Sequence, residues 1–240
     1  MIQAVIFDLD GVLTATDTLH TRAWQAVCDD LDIPFSKDVA ESLRGVSRSE
    51  SAALILKSAG RSLSESEMKK FTDKKNDIYK HSLEELTPKD VFQGVKELIE
   101  YLKSEDIKTA VASSSKNADA ILKNLELKDK FDAIVDGKMI SRSKPDPEVF
   151  AIAADMLGIP HENCLVVEDA KSGIEAAGKI GCLTVGIGPD ADGADIVIQN
   201  IREIISIIEQ SSKPSEMQVS DKPCPLDLTS TSALIKHPES

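Results

Sequence analysis

The four cysteines of this 240-residue chain, Cys28, Cys164, Cys182 and Cys224, include no CxxC pair, and no histidine stands at zinc-site spacing from them. A zinc module and a disulfide framework are therefore not expected, which leaves buried or incidental thiols. No apolar run approaches about 18 residues, the length a membrane-crossing helix needs, so no membrane partner is expected. Residues 1–20 have no basic leader and carry Asp8 and Asp10 inside the first apolar run. No secretory signal is expected there, and the cytoplasm is the expected location. Positive charge is short as well: 28 Lys and Arg against 41 Asp and Glu give a net charge of -13. Nucleic acid is thereby disfavoured as a partner, and an anionic small substrate needs locally placed cations or a metal. Internal repeats are absent. Residues 211–240 lack apolar periodicity and hold seven serines and four of the ten prolines, so a disordered tail is expected there.

The remainder is ordinary globular sequence, 41% hydrophobic and 29% charged, long enough for one large domain or a domain with a smaller insert. It is organised around AVIFDLDGVLT, residues 4–14. Ala4 to Phe7 is a short β-branched and aromatic run that reads as a fully buried strand of a parallel sheet. The run stops on Asp8, Asp10 follows, and Gly11 lets the backbone turn away. Two carboxylates just past the carboxyl end of a buried strand stand where open α/β sheets place a ligand crevice. Taken alone, they are equally well turn formers that end the strand.

From Asp17 to Pro88 the pattern is helical. Leu19, Ala23, Trp24, Ala26, Val27 and Leu31 fall at helical spacing up to Ile33-Pro34, and further helices are expected over 49–59 and 64–86. SLRGVSRSE, residues 42–50, reads as a loop carrying Arg44 and Arg48. Beyond Pro88 helices at 94–104, 117–127, 147–157 and 171–180 alternate with strands at 107–112, 131–135, 164–167 and 182–187. That alternation signals βαβ units on a parallel sheet, with the helical block inserted after the first strand.

Three more strand ends carry polar groups. The stretch 107–112 runs into SSSKN, whose hydroxyls and backbone amides could hold a phosphate or simply cap a helix. SRSKPDPEVF places Lys144 ahead of Pro145 and Pro147, presenting either a fixed inward cation or an ordinary surface lysine. The strand 164–167 ends in Glu168-Asp169, two more carboxylates that could instead cap the following helix. All of these terminate strands of one sheet and so face one crevice. Asp8, Asp10, Glu168 and Asp169 supply oxygen ligands of the kind Mg2+ prefers, and Ser113 and Lys144 supply donors for an anion.

FDLDGVLT, VASSS, SKPDPEVF and VVEDAKSGIEAA, in this order and spacing, resemble the four motifs of the haloacid dehalogenase superfamily of phosphoryl-transfer enzymes over residues 4–188. The helical insert resembles the small cap of its phosphoglucomutase-like branch. DLDGVLTATDTLHTRAW, LRGVSRSES, KKNDIY and ASSSKN carry a closer likeness to the β-phosphoglucomutases. This resemblance implies a Rossmann-like α/β core with a parallel sheet, residues 1–14 and 88–210, and a small helical cap domain, residues 15–87, inserted after the first strand. It implies a Mg2+-dependent isomerase that interconverts β-D-glucose 1-phosphate and β-D-glucose 6-phosphate through an aspartyl-phosphate enzyme, with β-glucose 1,6-bisphosphate as activator and intermediate.

Asp8 is then the nucleophile, Asp10 the general acid and base, and Ser113 and Lys144 bind the transferring phosphoryl group. The metal is held by Asp8, the backbone carbonyl of Asp10, and Asp169, with Glu168 in or beside the shell. Substrate contacts implied by the resemblance come from Asp10, His20, Trp24, Gly45, Val46, Arg48, Ser51, Lys75, Asn76, Ser115, Lys116 and Asn117. Without the resemblance, Arg48 reads as a loop cation, Trp24 as core, His20 as a structural histidine, and Lys75 and Asn76 as a solvated helix face. One departure stands out: Ala15 follows Thr14 where relatives often carry an acid, and Asp17 comes two residues later. Two other readings remain, a sugar-phosphate phosphatase on the same scaffold and a non-catalytic sugar-phosphate sensor. The expected partners are hexose phosphates, and a monomer is expected because the cap must open and close.

Overall fold

A computed structural model describes residues 1–43 and 46–212. Gly45, Arg44, Cys224 and the expected tail beyond residue 212 lie outside the described residues. Six parallel strands form one sheet: β1 (Ala4–Phe7), β2 (Lys108–Ala112), β3 (Ala133–Val135), β4 (Cys164–Glu168), β5 (Leu183–Ile187) and β6 (Ile196–Ile198), in the order β3-β2-β1-β4-β5-β6. The helices are α1 (Asp17–Asp29), α2 (Lys37–Ser42), α3 (Arg48–Ser58), α4 (Glu65–Leu83), α5 (Val95–Ser104), α6 (Ala118–Asn124), α7 (Glu148–Leu157), α8 (Lys171–Gly178) and α9 (Glu203–Ser212). None is long and apolar enough to cross a membrane among the described residues.

β1 lies at the centre because both of its faces are apolar. Val5 and Phe7 enter one core cluster with residues of α5, α6 and α9, while Ala4 and Ile6 enter another with residues of α7 and α8. A strand that alternates between two apolar layers needs helices on both faces of the sheet, and the βαβ crossovers supply them. Its neighbours are β2 and β4, with Phe7 level with Val111 and Val167. The chain first builds outward through β2 and β3 and then crosses to β4 on the other side of β1. The strand order thus reverses between β1 and β4, at the carboxyl ends of which a crevice opens.

α1 to α4 carry their own core, Trp24, Val27, Cys28, Ile33, Ala52, Ile55, Leu56 and Phe71. Ala23, Tyr79 and Leu83 instead join the main cluster and dock the helical block on the sheet domain. Where the chain passes into and out of the block, Thr14 pairs with Val91, the Thr14 hydroxyl donates to the Asp90 carbonyl at 2.8 Å, and Phe92 N–H donates to Leu13 at 2.9 Å.

Several element boundaries differ from the sequence reading. The stretch 42–50 is not one loop, because α2 ends in it and α3 begins in it. Ser47 caps α3 and Glu50 reaches back to the Ser47 N–H, so Arg48 is the first residue of a helix rather than a loop cation. α6 stops at Asn124, where Glu126 turns left-handed at φ 57° and Leu127 N–H closes onto Leu122. α2, β6 and α9 have no counterpart in the sequence reading.

Candidate active site

Asp8 continues the β1 ladder by one bond, Asp8 N–H to Val167 at 2.9 Å, and so is delivered to the reversal point of the sheet. Glu168 ends β4 beside it. Lys144 projects between them, with Nζ 2.5 Å from Asp8 Oδ1 and 2.6 Å from Glu168 Oε1 and with its side chain 1% exposed. The inward reading of this lysine therefore holds. Burial by itself would lower its pKa, but the two carboxylates outweigh burial and keep it a firm cation. The other Glu168 oxygen accepts from Ala170 N–H at 2.7 Å, so both of its oxygens are engaged.

Two glycines make room for this packing. At Gly11, φ 86°, an added Cβ would lie 2.1 Å from Asp169 Oδ2, and at Gly173 it would lie 1.8 Å from Glu168 Oε1. Asp8, Glu168 and Asp169 each offer an oxygen within 4.8 Å of the others. Burial, and then the neighbouring acids, push Asp169 up to about 9, and burial pushes Asp8 up to about 7 against the pull of Lys144. Hard oxygen donors crowded at this density, and reluctant to ionise together, fit a small dication such as Mg2+. The Asp10 side chain is not in that cluster. Burial, followed by the charges of Asp8 and Asp17, raises its pKa well above its ordinary value, the direction that suits a group that gives a proton.

The turn after β2 departs from expectation in one respect. Ser115 N–H donates to the Ser113 hydroxyl oxygen at 3.1 Å and Asn117 N–H to that of Ser115 at 3.2 Å. These two amides are committed to the turn and are withdrawn from any anion bound here. Gly137 packs against this turn so closely that a Cβ would lie 2.2 Å from the Ser114 carbonyl. Ser113 itself is buried and can still donate its hydroxyl proton.

The opposite wall comes from the helical block. Lys75 lies in the i, i+4 row Phe71, Lys75, Tyr79, Leu83 of α4 and is 3% exposed, which rules out the solvated face that its charged helix suggests without the resemblance. Its Nζ is 2.6 Å from His20 Nδ1, 4.6 Å from the Tyr79 ring centre and 5.1 Å from that of Trp24. Burial, and then the nearby Arg48, lower the Lys75 pKa to about 7, and burial with Lys75 lowers that of His20. Arg48 is half-buried in the same wall, its pKa lowered by burial although Asp73 and Asp77 oppose the shift. Trp24 is both core and cavity wall. Asn76 accepts from the Asn117 amide at 3.0 Å, a bond between the helical block and the sheet domain.

Between the two walls is a cavity of about 970 Å³. Asp8, Asp10, Ser113, Lys144, Glu168 and Asp169 line one side. His20, Trp24, Val46, Arg48, Ser51, Lys75 and Asn76 line the other, and Ser115, Lys116 and Asn117 also reach it. Every described residue singled out from the sequence is thus brought to one space. Asp17, Ala40 and Leu43 line it too, and Tyr79 and Thr16 lie buried close by. None of the latter four had been marked, although the row Phe71, Lys75, Tyr79, Leu83 was a readable signal for Tyr79.

Residues 5–187, from β1 through β5, match the family described as haloacid dehalogenase-like hydrolase. The chain belongs to that family. Over 207 residues it is 40% identical to the beta-phosphoglucomutase of Bacillus subtilis, covering 85% of this chain and 92% of that protein. It is also 33% identical to the phosphorylated carbohydrates phosphatase of Thermotoga maritima, covering 75% and 82%. The crystal structure of beta-phosphoglucomutase from Clostridium difficile superposes with a TM-score of 0.83 at 35% identity, covering 88% of this chain and 96% of that one. The names of these relatives divide between mutase and phosphatase.

Proposed function

We propose that the protein is a Mg2+-dependent β-phosphoglucomutase, interconverting β-D-glucose 1-phosphate and β-D-glucose 6-phosphate through β-glucose 1,6-bisphosphate. The observation that carries this reading is the pair of cations, buried Lys75 and half-buried Arg48, on the wall opposite the carboxylates. A phosphatase needs one phosphate site. A mutase must hold a sugar with a phosphate at each end, and the second phosphate needs cations of its own.

In the reaction an Asp8 oxygen attacks phosphorus of the bisphosphate and the bond from phosphorus to the sugar oxygen breaks. The departing sugar oxygen takes the Asp10 proton. In the reverse sense, Asp10 removes a proton from the hydroxyl at the other end of a sugar monophosphate as that oxygen attacks the aspartyl phosphate. Lys144 and Ser113 hold the transferring phosphoryl oxygens, and Lys144 keeps Asp8 aimed. Arg48 receives the distal phosphate, while His20 and Lys75 take up the sugar side of the cavity. Asp8, Asp169 and the Asp10 carbonyl, with Glu168 alongside, would hold Mg2+, whose charge offsets that of the phosphoryl oxygens. Closure of the helical block over the sugar excludes water from the aspartyl phosphate.

The test is one assay of the full chain with Mg2+, β-glucose 1-phosphate and a trace of β-glucose 1,6-bisphosphate, following glucose 6-phosphate and inorganic phosphate together. Glucose 6-phosphate in large excess is the expected result. Stoichiometric inorganic phosphate would make the protein a sugar-phosphate phosphatase, the activity named for its Thermotoga maritima relative.

A further inference from the structure

Lys144 carries the ammonium that sits between Asp8 and Glu168, yet its backbone belongs to the irregular stretch between β3 and α7, where neither a sheet ladder nor a helix fixes it. Glu148, the first residue of α7, supplies what that stretch lacks. Its Oε2 accepts from Ser141 N–H at 3.0 Å and from Arg142 N–H at 2.7 Å, and the Ser141 hydroxyl donates to the same carboxylate at 3.0 Å. The Arg142 and Ser141 amides hold the Glu148 carboxyl below its ordinary pKa. Asp146 closes the loop from within. Its N–H donates to the Ser143 carbonyl at 2.9 Å, one oxygen accepts from Glu148 N–H at 3.0 Å, and the other lies 3.1 Å from the Arg142 guanidinium. Downstream of Lys144, Lys179 donates to the Pro145 carbonyl at 2.8 Å. The first turn of α7 also places the Phe150 ring centre 4.7 Å from the Lys144 ammonium.

We propose that Glu148 is a positioning residue for Lys144. By gathering two successive amides on one oxygen it sets the path of the chain into Lys144, and so sets where the ammonium meets Asp8 and the transferring phosphoryl oxygens. A lysine that serves two carboxylates and a phosphoryl group tolerates little displacement. An acid in the first turn of a helix also favours that helix through its dipole, a role that needs the charge and not the reach. Positioning needs the reach and not the charge, because a neutral amide oxygen accepts the same two N–H groups. The proposal rests on Lys144 acting in phosphoryl transfer, which the mutase and phosphatase readings of the cavity share.

The experiment compares Glu148→Gln with Glu148→Ala in the full chain, each alone and combined with Lys144→Met. Mg2+, β-glucose 1-phosphate and a trace of β-glucose 1,6-bisphosphate are supplied, both products are followed, and every assay runs below the measured thermal midpoint. Glu148→Ala is expected to lower kcat for whichever product forms by about 100-fold while KM changes by less than about 5-fold. Glu148→Gln keeps the oxygen and is expected to stay within about 3-fold of the unmodified protein in both constants. In the Lys144→Met background Glu148→Ala should cost no further turnover, since a residue that acts through Lys144 then has nothing left to place. An equal fall in Glu148→Gln and Glu148→Ala would overturn the proposal, because the charge would then be what matters. Full activity in Glu148→Ala, or a loss undiminished by Lys144→Met, would overturn it as well. If Glu148→Ala does not fold, Glu148→Ser, as short but suited to a helix start, is read by the same criteria. Inorganic phosphate as the sole product would end the mutase reading and leave these outcomes standing. If neither product forms, the phosphoryl-transfer reading fails by itself, and the same cycle is read on the thermal midpoint. A loss in Glu148→Ala that shrinks in the Lys144→Met background then supports the positioning role, and additive losses overturn it.

Discussion

The two walls of the cavity are electrostatic opposites, and each is uncomfortable when alone. On the sheet side burial raises the pKa values of Asp8, Asp10 and Asp169, while on the helical side burial lowers those of Lys75, His20 and Arg48. In both walls desolvation is the leading cause, so in both walls the charged forms cost folding stability. Lys144 marks the contrast. It is equally buried but sits between two carboxylates, and its pKa goes up rather than down. The lesson is that Lys144 has its partners within the fold, whereas Lys75 has a histidine and two aromatic faces but no carboxylate within ion-pair distance among the described residues. A buried cation arranged in that way is set up for an anion that arrives from outside.

The comparison breaks most severely at Asp8. Asp8→Asn is expected to lower turnover by about 10,000-fold or more with the thermal midpoint retained, since the nucleophile is lost while the strand end is kept. Substantial residual turnover would remove the aspartyl phosphate from the mechanism. Next in size is Lys144→Ala, which strands two buried carboxylates. Chemical denaturation should show a loss of about 3–5 kcal/mol, with Lys75→Met losing far less or gaining, because Lys75 has no carboxylate to abandon. Equal losses for the two lysines would erase the distinction between the walls.

A smaller effect follows from pH. Asp8 and Asp169 have folded pKa values near 7 and 9, above their ordinary 3.8, so the folded protein binds more protons than the unfolded chain over that range. Their contribution to stability is present at low pH and falls as pH rises through those values. Lys75 has a folded value near 7, below its ordinary 10.5, so its contribution has the opposite sign and stability rises between pH 7 and 10.5. Denaturation midpoints without added metal should fall from pH 4 to 7 and then level off as the two terms oppose each other. In Lys75→Met the fall should continue to about pH 9. Added Mg2+ should raise the midpoint more at pH 8 than at pH 5, where protons compete for the same oxygens. An equal rise at both pH values would count against the carboxylate cluster as its site.

The two walls also differed in how readable they were. The acidic wall was legible because Asp8, Glu168 and Asp169 stand at or just past strand ends, which a parallel sheet delivers to one place, while Lys144 reaches them from the stretch between β3 and α7. Asp8, Lys144, Glu168 and Asp169 meet as that logic requires. The cationic wall depends on helix rotation, which a charged helix conceals. Lys75 sits among Lys74, Asn76 and Asp77, and only the row through Phe71, Tyr79 and Leu83 shows that it faces inward. α2 gives no periodic signal at all, as none of its six residues is buried. The Ser113 turn was anticipated, but not that serine hydroxyls would occupy two of its amides. Such local competition depends on side-chain rotamers rather than on composition.

The most direct measurement is calorimetric titration of Asp8→Asn, which holds ligand without turning it over, with β-glucose 1,6-bisphosphate and with β-glucose 1-phosphate in the presence of Mg2+. Two opposed walls that each receive one phosphate predict that the bisphosphate binds about 100-fold tighter, and that Arg48→Ala abolishes this preference. Equal affinity for the two sugars, or a preference that survives Arg48→Ala, would contradict a second phosphate site in the helical wall.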